Sequence, residues 1–347
     1  TNNDNKNECI KLAAQGNKDI CNVCTLPPIT YPPLIHHPST PNPPITSKPH
    51  PVTSEVPREI KTTDAAVTER PSIKNYRLPK SVHPIHYDVE LQPYMHHPDP
   101  HNFTFKGSVR IYIRCDVATD NITLHVDVLT VNISTIRFQP EVSASLGDPH
   151  YSGYDVDKDR DFFIVKLNKN MKVGEIYVLD MSFTSPLQNN LLGLYYSSYK
   201  SQNKTIYLAT TQFEATHARK AFPCFDEPAM KATFSIILVR PLNQTSISNM
   251  PIINSSTVLQ ENGITYVKDV YQKTPKMSTY LLAFVVCDYK YAIRYTKRNV
   301  TIRTWAKPDA VNHTLFALTT AVNITDYFED HFQVQYSMPK QDMIAIP

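Results

Sequence analysis

Glycine, tryptophan and long apolar runs are all scarce in this sequence. Its 347 residues include only 7 Gly and 1 Trp, and it contains neither a glycine-rich phosphate loop nor a dinucleotide-binding fingerprint. No run of about 18 apolar residues occurs, so the sequence offers no candidate membrane span or signal peptide. Since the first residue is Thr1 rather than Met, we expect the chain to be a fragment or a processed form.

An excess of charge of one sign is also missing. The formal net charge is only +3, and the basic residues alternate with acidic ones instead of forming runs. A surface that binds nucleic acid normally carries a basic patch. We therefore predict no nucleic-acid partner.

Cysteines are few and unevenly spread. Cys115, Cys224 and Cys287 lie far apart in apolar contexts, which favours buried free thiols over a disulfide framework. Three more crowd the amino terminus: Cys9, Cys21 and Cys24. A second ligand pair at zinc-finger spacing is absent, so these three stay open between an interchain disulfide, lipidation and no role.

Proline, in contrast, is abundant, with 28 residues. Much of it lies between Pro27 and Pro57, mixed with Thr, Ser and His. Because proline fixes φ and removes a hydrogen-bond donor, this segment predicts an extended, semi-rigid stalk rather than a packed core. We assign residues 1–74 to this Cys-containing, Pro/Thr-rich stalk.

Nine Asn-x-Ser/Thr sequons indicate passage through the secretory pathway. Chance alone would give roughly three of them. We predict a protein on the extracellular side of the plasma membrane, or a secreted one. The predicted glycosylation sites are Asn102, Asn121, Asn132, Asn203, Asn243, Asn254, Asn299, Asn312 and Asn323.

Short β-branched and aromatic runs begin near Tyr76 and predict a mainly β fold. Polar and apolar residues alternate from Ser108 to Arg114, the period expected of a half-buried strand. Similar runs, typical of an antiparallel sandwich or barrel, cover Val82 to Leu91, Phe103 to Arg114, Ile122 to Leu129, Ile133 to Phe138, Phe162 to Leu167, Tyr177 to Phe183, Ile206 to Thr210, Thr233 to Val239, Thr265 to Val270 and Tyr280 to Val286.

The pattern changes after Asp288. Asn299 to Trp305 predicts a further strand, and Asp309 is placed to cap a helix. The apolar face of that helix would carry Leu315, Leu318, Val322, Thr325 and Phe328. We assign residues 75–288 to a β-sandwich domain and residues 289–347 to the beginning of a second domain.

Histidine does not form a zinc-peptidase motif here. None of the 13 His precedes a Glu, so His-Glu-x-x-His, which presents two ligands on one helix face, is absent. His83 and His86 lie three residues apart at the entrance of a strand, where we expect them to face opposite sides. We predict no metal ligand and no catalytic residue in this chain.

One segment has a specific resemblance. Residues Thr211 to Pro228 read TQFEATHARKAFPCFDEP and resemble the signature of zinc aminopeptidases of the aminopeptidase N type, in their membrane-anchored animal branch. Further matches, in the same order as in the family, are YRLP from Tyr76, PIHYDVEL from Pro84, KATF from Lys231, MSTYLLAF from Met277, TWAKPD from Thr304 and PKQD from Pro339.

The resemblance implies a saddle-like amino-terminal β-sandwich followed by a thermolysin-like α/β zinc domain. By motif position, Glu214 would accept the free α-ammonium of a peptide substrate, and Gln212 would line the pocket for its first side chain. We expect Arg219, Asp226 and Glu227 to form a local ion-pair network, and Phe222 to Phe225 to be packing residues. His217 stands where many relatives carry Asp.

In the family, the segment like Pro339 to Pro347 leads into Gly-Ala-Met-Glu-Asn, the zinc motif, a distal Glu ligand and an oxyanion-stabilising Tyr. Zinc is thus expected only in the full-length enzyme, and this chain alone is expected to be inactive. The expected partners are peptide substrates, the remainder of its catalytic domain and a possible second copy. The alternatives are an inactive glycosylated β-sandwich that acts in binding or adhesion, and an unrelated stalked receptor ectodomain.

Overall fold

The computed structural model describes residues 74–347, except residues 143, 144, 146 and 262. Strands dominate this part of the chain, which confirms the mainly β fold. The stalk prediction and the three amino-terminal cysteines lie outside the described residues.

The largest sheet has seven strands in the order β12-β13-β10-β1-β2-β7-β4. Its pairings are antiparallel except for β1 with β10, which run parallel. The strands are β1 (Val82–Tyr94), β2 (Thr104–Cys115), β4 (Thr130–Pro140), β7 (Ile176–Pro186), β10 (Thr233–Pro241), β12 (Ile252–Glu261) and β13 (Ile264–Tyr271).

Two smaller sheets complete the sandwich. Apolar residues of the large sheet, such as Ile111 and Leu179, share one buried cluster with Val165 and Phe284 from the smaller sheets, so the core lies between the layers. One sheet has the order β11-β14-β9-β8 and the other β3-β6-β5. Their strands are β3 (Asn121–His125), β5 (Tyr151–Asp157), β6 (Phe162–Leu167), β8 (Gly193–Ser201), β9 (Lys204–Gln212), β11 (Thr245–Ser248) and β14 (Phe284–Cys287).

The last part of the described chain forms a separate sheet with one helix. Its order is β15-β16-β17, and β16 and β17 are parallel neighbours. The helix packs through Leu318 against Val300 and Ile302. These elements are β15 (Lys290–Tyr295), β16 (Thr301–Ala306), α1 (Leu315–Phe332) and β17 (Lys340–Ile344). The domain division at residues 288 and 289 stays a prediction.

The predicted helix cap is wrong. A short 3₁₀ turn, Val311–Thr314, precedes α1, whose N-cap is Thr314 without a side-chain cap bond. Asp309 instead pairs with Lys307 at 3.3 Å. The helical spacing was therefore informative about the helix but not about its first residue.

Two strand boundaries also differ from the prediction. The run from Tyr280 to Val286 is not one strand, because Thr279–Leu281 form a 3₁₀ turn and β14 begins at Phe284. The run from Ile122 to Leu129 stops being a strand at His125. Val128 then has a φ of +56°, which no regular strand accommodates.

The prediction that His83 and His86 face opposite sides is also wrong. The pairing of β1 with β2 shifts register between Pro84 and His86, and this bulge inserts a residue into the alternation. His83 then contacts Asp116, while His86 binds Thr233 at 2.8 Å on the same outer side of β1.

Candidate functional site

The carboxyl end of β9 presents the two side chains that the signature singled out. Gln212 and Glu214 are exposed, whereas Phe213 between them is 2% exposed and belongs to the core. This is the alternation of a strand end, with successive side chains on opposite faces. Gln212 Nε2 donates to the Glu214 backbone oxygen at 3.4 Å, and the Glu214–Ala215 peptide bond is cis. The two predicted site residues therefore lie side by side at the surface.

The loop after Glu214 is held against the neighbouring hairpin strand. The His217 N–H donates to the Phe213 carbonyl at 2.8 Å, and a 3₁₀ turn follows at Ala218–Lys220. Gly193, which pairs with Gln212, has a φ of +69°, and a Cβ there would lie 2.5 Å from the Lys220 Cβ. Only glycine combines this positive φ with such close packing against Lys220 without strain.

The aromatic half of the signature is scaffold. Phe222, Cys224 and Phe225 are each 0% exposed, and Pro223 is buried with them. The Phe225 N–H donates to the Tyr87 hydroxyl at 3.1 Å. Burial raises the pKa of the Cys224 thiol well above its ordinary value, so the thiol stays protonated. The prediction of a packing role is confirmed.

The other two cysteines predicted to be buried are buried free thiols as well. Cys115 and Cys287 are each 0% exposed and unpaired. Burial is the main cause of the raised pKa of both thiols, and it brings that of Cys287 to about 12.

A buried ion pair lies behind the loop. Arg219 Nε donates to Asp226 Oδ2 at 3.0 Å, and Arg219 NH1 donates to Asp161 at 3.1 Å. The other Asp226 oxygen accepts a hydrogen bond of 2.8 Å from the Thr279 hydroxyl. Since the Asp226 side chain is only 1% exposed, its charge depends on these partners.

His125 completes this cluster from β3. Its Nδ1 accepts a hydrogen bond of 3.2 Å from the Asp226 N–H, so the ring proton is assigned to Nε2. Burial, followed by the nearby Arg219 cation, lowers the pKa of His125 to about 3. His125 is therefore a neutral structural acceptor at physiological pH.

Glu227 does not join the Arg219 pair as predicted. Its carboxylate instead accepts from the Leu78 N–H at 2.7 Å and from Arg77 at 3.2 Å. The predicted network is thus correct for Arg219 and Asp226 and wrong for Glu227. The physical reason is that Glu227 binds Leu78, which lies 149 residues earlier in the chain. Residue spacing within the signature could not reveal this contact.

Three further residues support the site without any sequence signal. Asp161 and His125 bind the cluster just described, and Asp127 pairs with Lys220. They come together only in the fold, because each lies more than fifty positions from its partner. His217 stands beside them, and burial, followed by Lys220, lowers its pKa.

Glu214 differs from every acid around it. Asp127, Asp161, Asp226 and Glu227 each have a cationic partner, whereas the Glu214 carboxylate has no hydrogen bond or ion pair with any residue that the structure describes. An exposed, unpaired carboxylate next to a neutral amide can accept a charge-assisted hydrogen bond from an incoming ammonium group.

The described residues do not fit a metal site. No group of three or more His, Cys, Asp and Glu side chains that could hold a metal ion occurs among them. Within the same part of the chain, no helix is long and apolar enough to cross a membrane.

All nine sequons lie in the described residues. Eight of the asparagines are exposed, and Asn121 is half-buried, with its amide donating to Asp120 at 3.1 Å. Glycosylation itself stays a prediction.

Comparison with known proteins agrees with the signature. Residues 83–281 match the family described as Peptidase M1 N-terminal domain. Aminopeptidase N of Rattus norvegicus is 36% identical over 291 residues, or 82% of this chain and 30% of the relative. Aminopeptidase Q of Homo sapiens is 35% identical over 340 residues, covering 93% of this chain and 34% of the relative. The thyrotropin-releasing hormone-degrading ectoenzyme of Rattus norvegicus is 36% identical over 78% of this chain and 24% of its own length. The chain thus spans about a quarter to a third of these relatives.

Proposed function

Because this chain belongs to the M1 peptidase family and contains its N-terminal domain, we propose that it is the substrate-gripping part of an aminopeptidase. In this proposal Glu214 accepts the free α-ammonium of a peptide and Gln212 lines the pocket for the first side chain. A neutral Gln212 favours neutral over acidic first residues. The intact enzyme removes residues from peptide amino termini with a zinc ion held by residues outside this sequence.

The observation that carries the proposal is the isolation of the Glu214 carboxylate. The loop that bears it is fixed by core contacts, yet its charge is not neutralised by any described residue. A carboxylate in this situation discriminates a free amino terminus from an internal peptide bond, since the latter offers no positive charge. The nine sequons and the ectoenzyme among the relatives support an extracellular enzyme, either membrane-anchored or secreted.

Glu214→Gln tests this role in a full-length protein that contains the chain. Loss of one charge-assisted hydrogen bond, about 2 kcal/mol, lowers kcat/KM on aminoacyl arylamides about thirtyfold. The matched control is Glu175→Gln, another exposed acid, which leaves kcat/KM unchanged. An unaltered kcat/KM for Glu214→Gln would remove Glu214 from the site.

The second candidate is a glycosylated binding or adhesion module without catalytic activity. It is supported by the nine sequons, eight of whose asparagines are exposed. Reading the transcript past the codon for Pro347 separates the two candidates. A stop codon rejects the enzyme for this product, whereas an encoded His-Glu-x-x-His motif rejects the binding module.

A further inference from the structure

A groove with both polar and apolar lining crosses the outer face of the large sheet, and neither Gln212 nor Glu214 lines it. Its volume is about 590 Å³ and it spans β1, β2, β7 and β4. Strand register places Glu90, Ser108, Ser182 and Asn132 in one row across these four strands. A second row, two residues along, contains Gln92, Lys106, Thr184 and Thr130.

One sequon belongs to the wall of this groove. Asn132 is exposed, and its Oδ1 accepts hydrogen bonds from the Ser134 N–H at 3.2 Å and from the Ser134 hydroxyl at 2.7 Å. In each sequon the Ser or Thr stands two residues after the Asn. Among the nine sequons, Asn132 is the one whose carboxamide contacts the hydroxyl of this Ser or Thr. The nitrogen that would be modified, Nδ2, has no partner among the described residues.

The floor of the groove offers an unused hydrogen-bonding group. Gln92 is only 7% exposed and lines the groove, yet its side-chain amide has no hydrogen-bond partner within the described part of the chain. A polar ligand in the groove would give this amide a direct partner.

We propose that Asn132 carries an N-linked oligosaccharide whose first sugars lie along this groove. The hydroxyl, amide and carboxylate groups of the two rows match the hydroxyl-rich surface of a sugar. Neighbouring strands are about 4.8 Å apart, so Ser108, two strands from Asn132, is within reach of a short oligosaccharide attached at Nδ2.

Attachment follows the ordinary chemistry of the secretory pathway. A lipid pyrophosphate donor supplies the oligosaccharide. Its C1–O bond breaks, the C1–Nδ2 bond forms, Nδ2 loses one proton, and the lipid pyrophosphate leaves. The groove takes no part in this step and holds the product afterwards.

The experiment starts with the full chain expressed through the secretory pathway of an animal cell. Glycopeptide mass spectrometry is expected to find Asn132 occupied, and an unmodified Asn132 overturns the proposal. Native deglycosylation by a peptide N-glycosidase is then timed at Asn132 and at Asn203, which is exposed in the β8–β9 turn. Release at Asn132 is expected to be about tenfold slower, the factor supplied by one or two net hydrogen bonds, and equal native rates overturn the proposal.

Groove-filling variants test whether the groove causes the slow release. Ser108→Tyr blocks the groove and brings the Asn132 rate to that of Asn203, whereas Arg114→Tyr, at an exposed position of the same strand outside the groove, leaves it slow. Thr184→Tyr is the second groove variant if Ser108→Tyr does not fold. Unchanged slow release in a folded groove variant contradicts the proposal.

A last comparison separates the chain's own glycan from a foreign one. A soluble N-glycan core oligosaccharide is offered to the glycosylated protein and to Asn132→Gln. Binding by Asn132→Gln alone is expected, because the groove is then empty. Equal binding by both proteins overturns the proposal and favours an adhesion site for glycans of other molecules.

Discussion

Protonation of His125 should control the acid stability of the sandwich. The imidazole is 2% exposed, and Nδ1 faces the Asp226 N–H at 3.2 Å. A proton on Nδ1 would turn this acceptor into a donor facing a donor, in a buried site beside the Arg219 cation. The folded state therefore resists protonation, and the pKa of His125 falls from 6.5 to about 3.

The sign of the effect follows from proton binding. Between pH 6.5 and about 3 the unfolded chain carries the proton and the folded chain does not, so the free energy of unfolding falls as the pH falls. At pH 5 the difference of about 1.5 pH units from the unfolded pKa amounts to about 2 kcal/mol. Full stability from this group is present above about pH 6.5.

Urea unfolding at pH 7 and pH 5 measures the effect. His125→Asn keeps an acceptor for the Asp226 N–H but cannot titrate, so it should lose about 2 kcal/mol less than the wild type between the two pH values. His101→Asn, at an exposed histidine, is the control and should behave like the wild type. If the wild type and His125→Asn lose the same stability, the reasoning is refuted. If His125→Asn does not fold, NMR of isotope-labelled histidine decides, since the His125 ring must stay neutral at pH 5.

Two further predictions concern the stability of the site. Asp226→Ala should lower the free energy of unfolding by about 3–5 kcal/mol, because it leaves the buried Arg219 cation short of a partner. The control, Asp155→Ala, breaks an exposed ion pair whose side chains are 58% and 48% exposed, and it should cost about 1 kcal/mol or less. Similar losses for both variants in urea titrations would contradict the buried role of Asp226. Gly193→Ala should lower the free energy of unfolding by about 2 kcal/mol more than Gly174→Ala does. Both glycines have a positive φ, but of the two only Gly193 has a neighbouring atom, at 2.5 Å, where the new Cβ would lie. Equal shifts of the unfolding midpoint would argue against close packing at the end of the β8–β9 hairpin.

Strands with one clearly buried face could be predicted from the sequence. β2 is an example, since its exposed and buried residues alternate along almost its whole length. β5 was not predicted, because most of its residues are exposed and Gly153 and Asp155 interrupt any apolar period. β12 was missed for the same reason: every residue from Ile252 to Val258 is exposed. The rule that finds strands depends on burial, which these strands do not provide.

The site was predictable only where its parts are neighbours in sequence. The exposure of Gln212 and Glu214 around a buried Phe213 follows from the two-residue period of a strand. The contact of Arg219 with Asp161 and the partners of Glu227 depend on how distant segments pack, and nothing in a single sequence fixes contacts over such distances. Substrate contact by Gln212 and Glu214 stays a prediction, whereas Glu227 was misassigned because its partners lie far away in the sequence.

The distribution of charge around the loop favours the anchor role over a scaffold role for Glu214. Lys220 is paired with Asp127, and Arg219 is shared by Asp161 and Asp226. The basic side chains nearest in sequence are thus already neutralised, and His217, with its lowered pKa, is uncharged at physiological pH. A structural acid would be expected to use one of these cations, as its four acidic neighbours use theirs. Because the described residues leave Glu214 without a cation while core contacts fix the loop beneath it, we propose that a bound molecule supplies the positive charge at this site, and a peptide amino terminus is such a group.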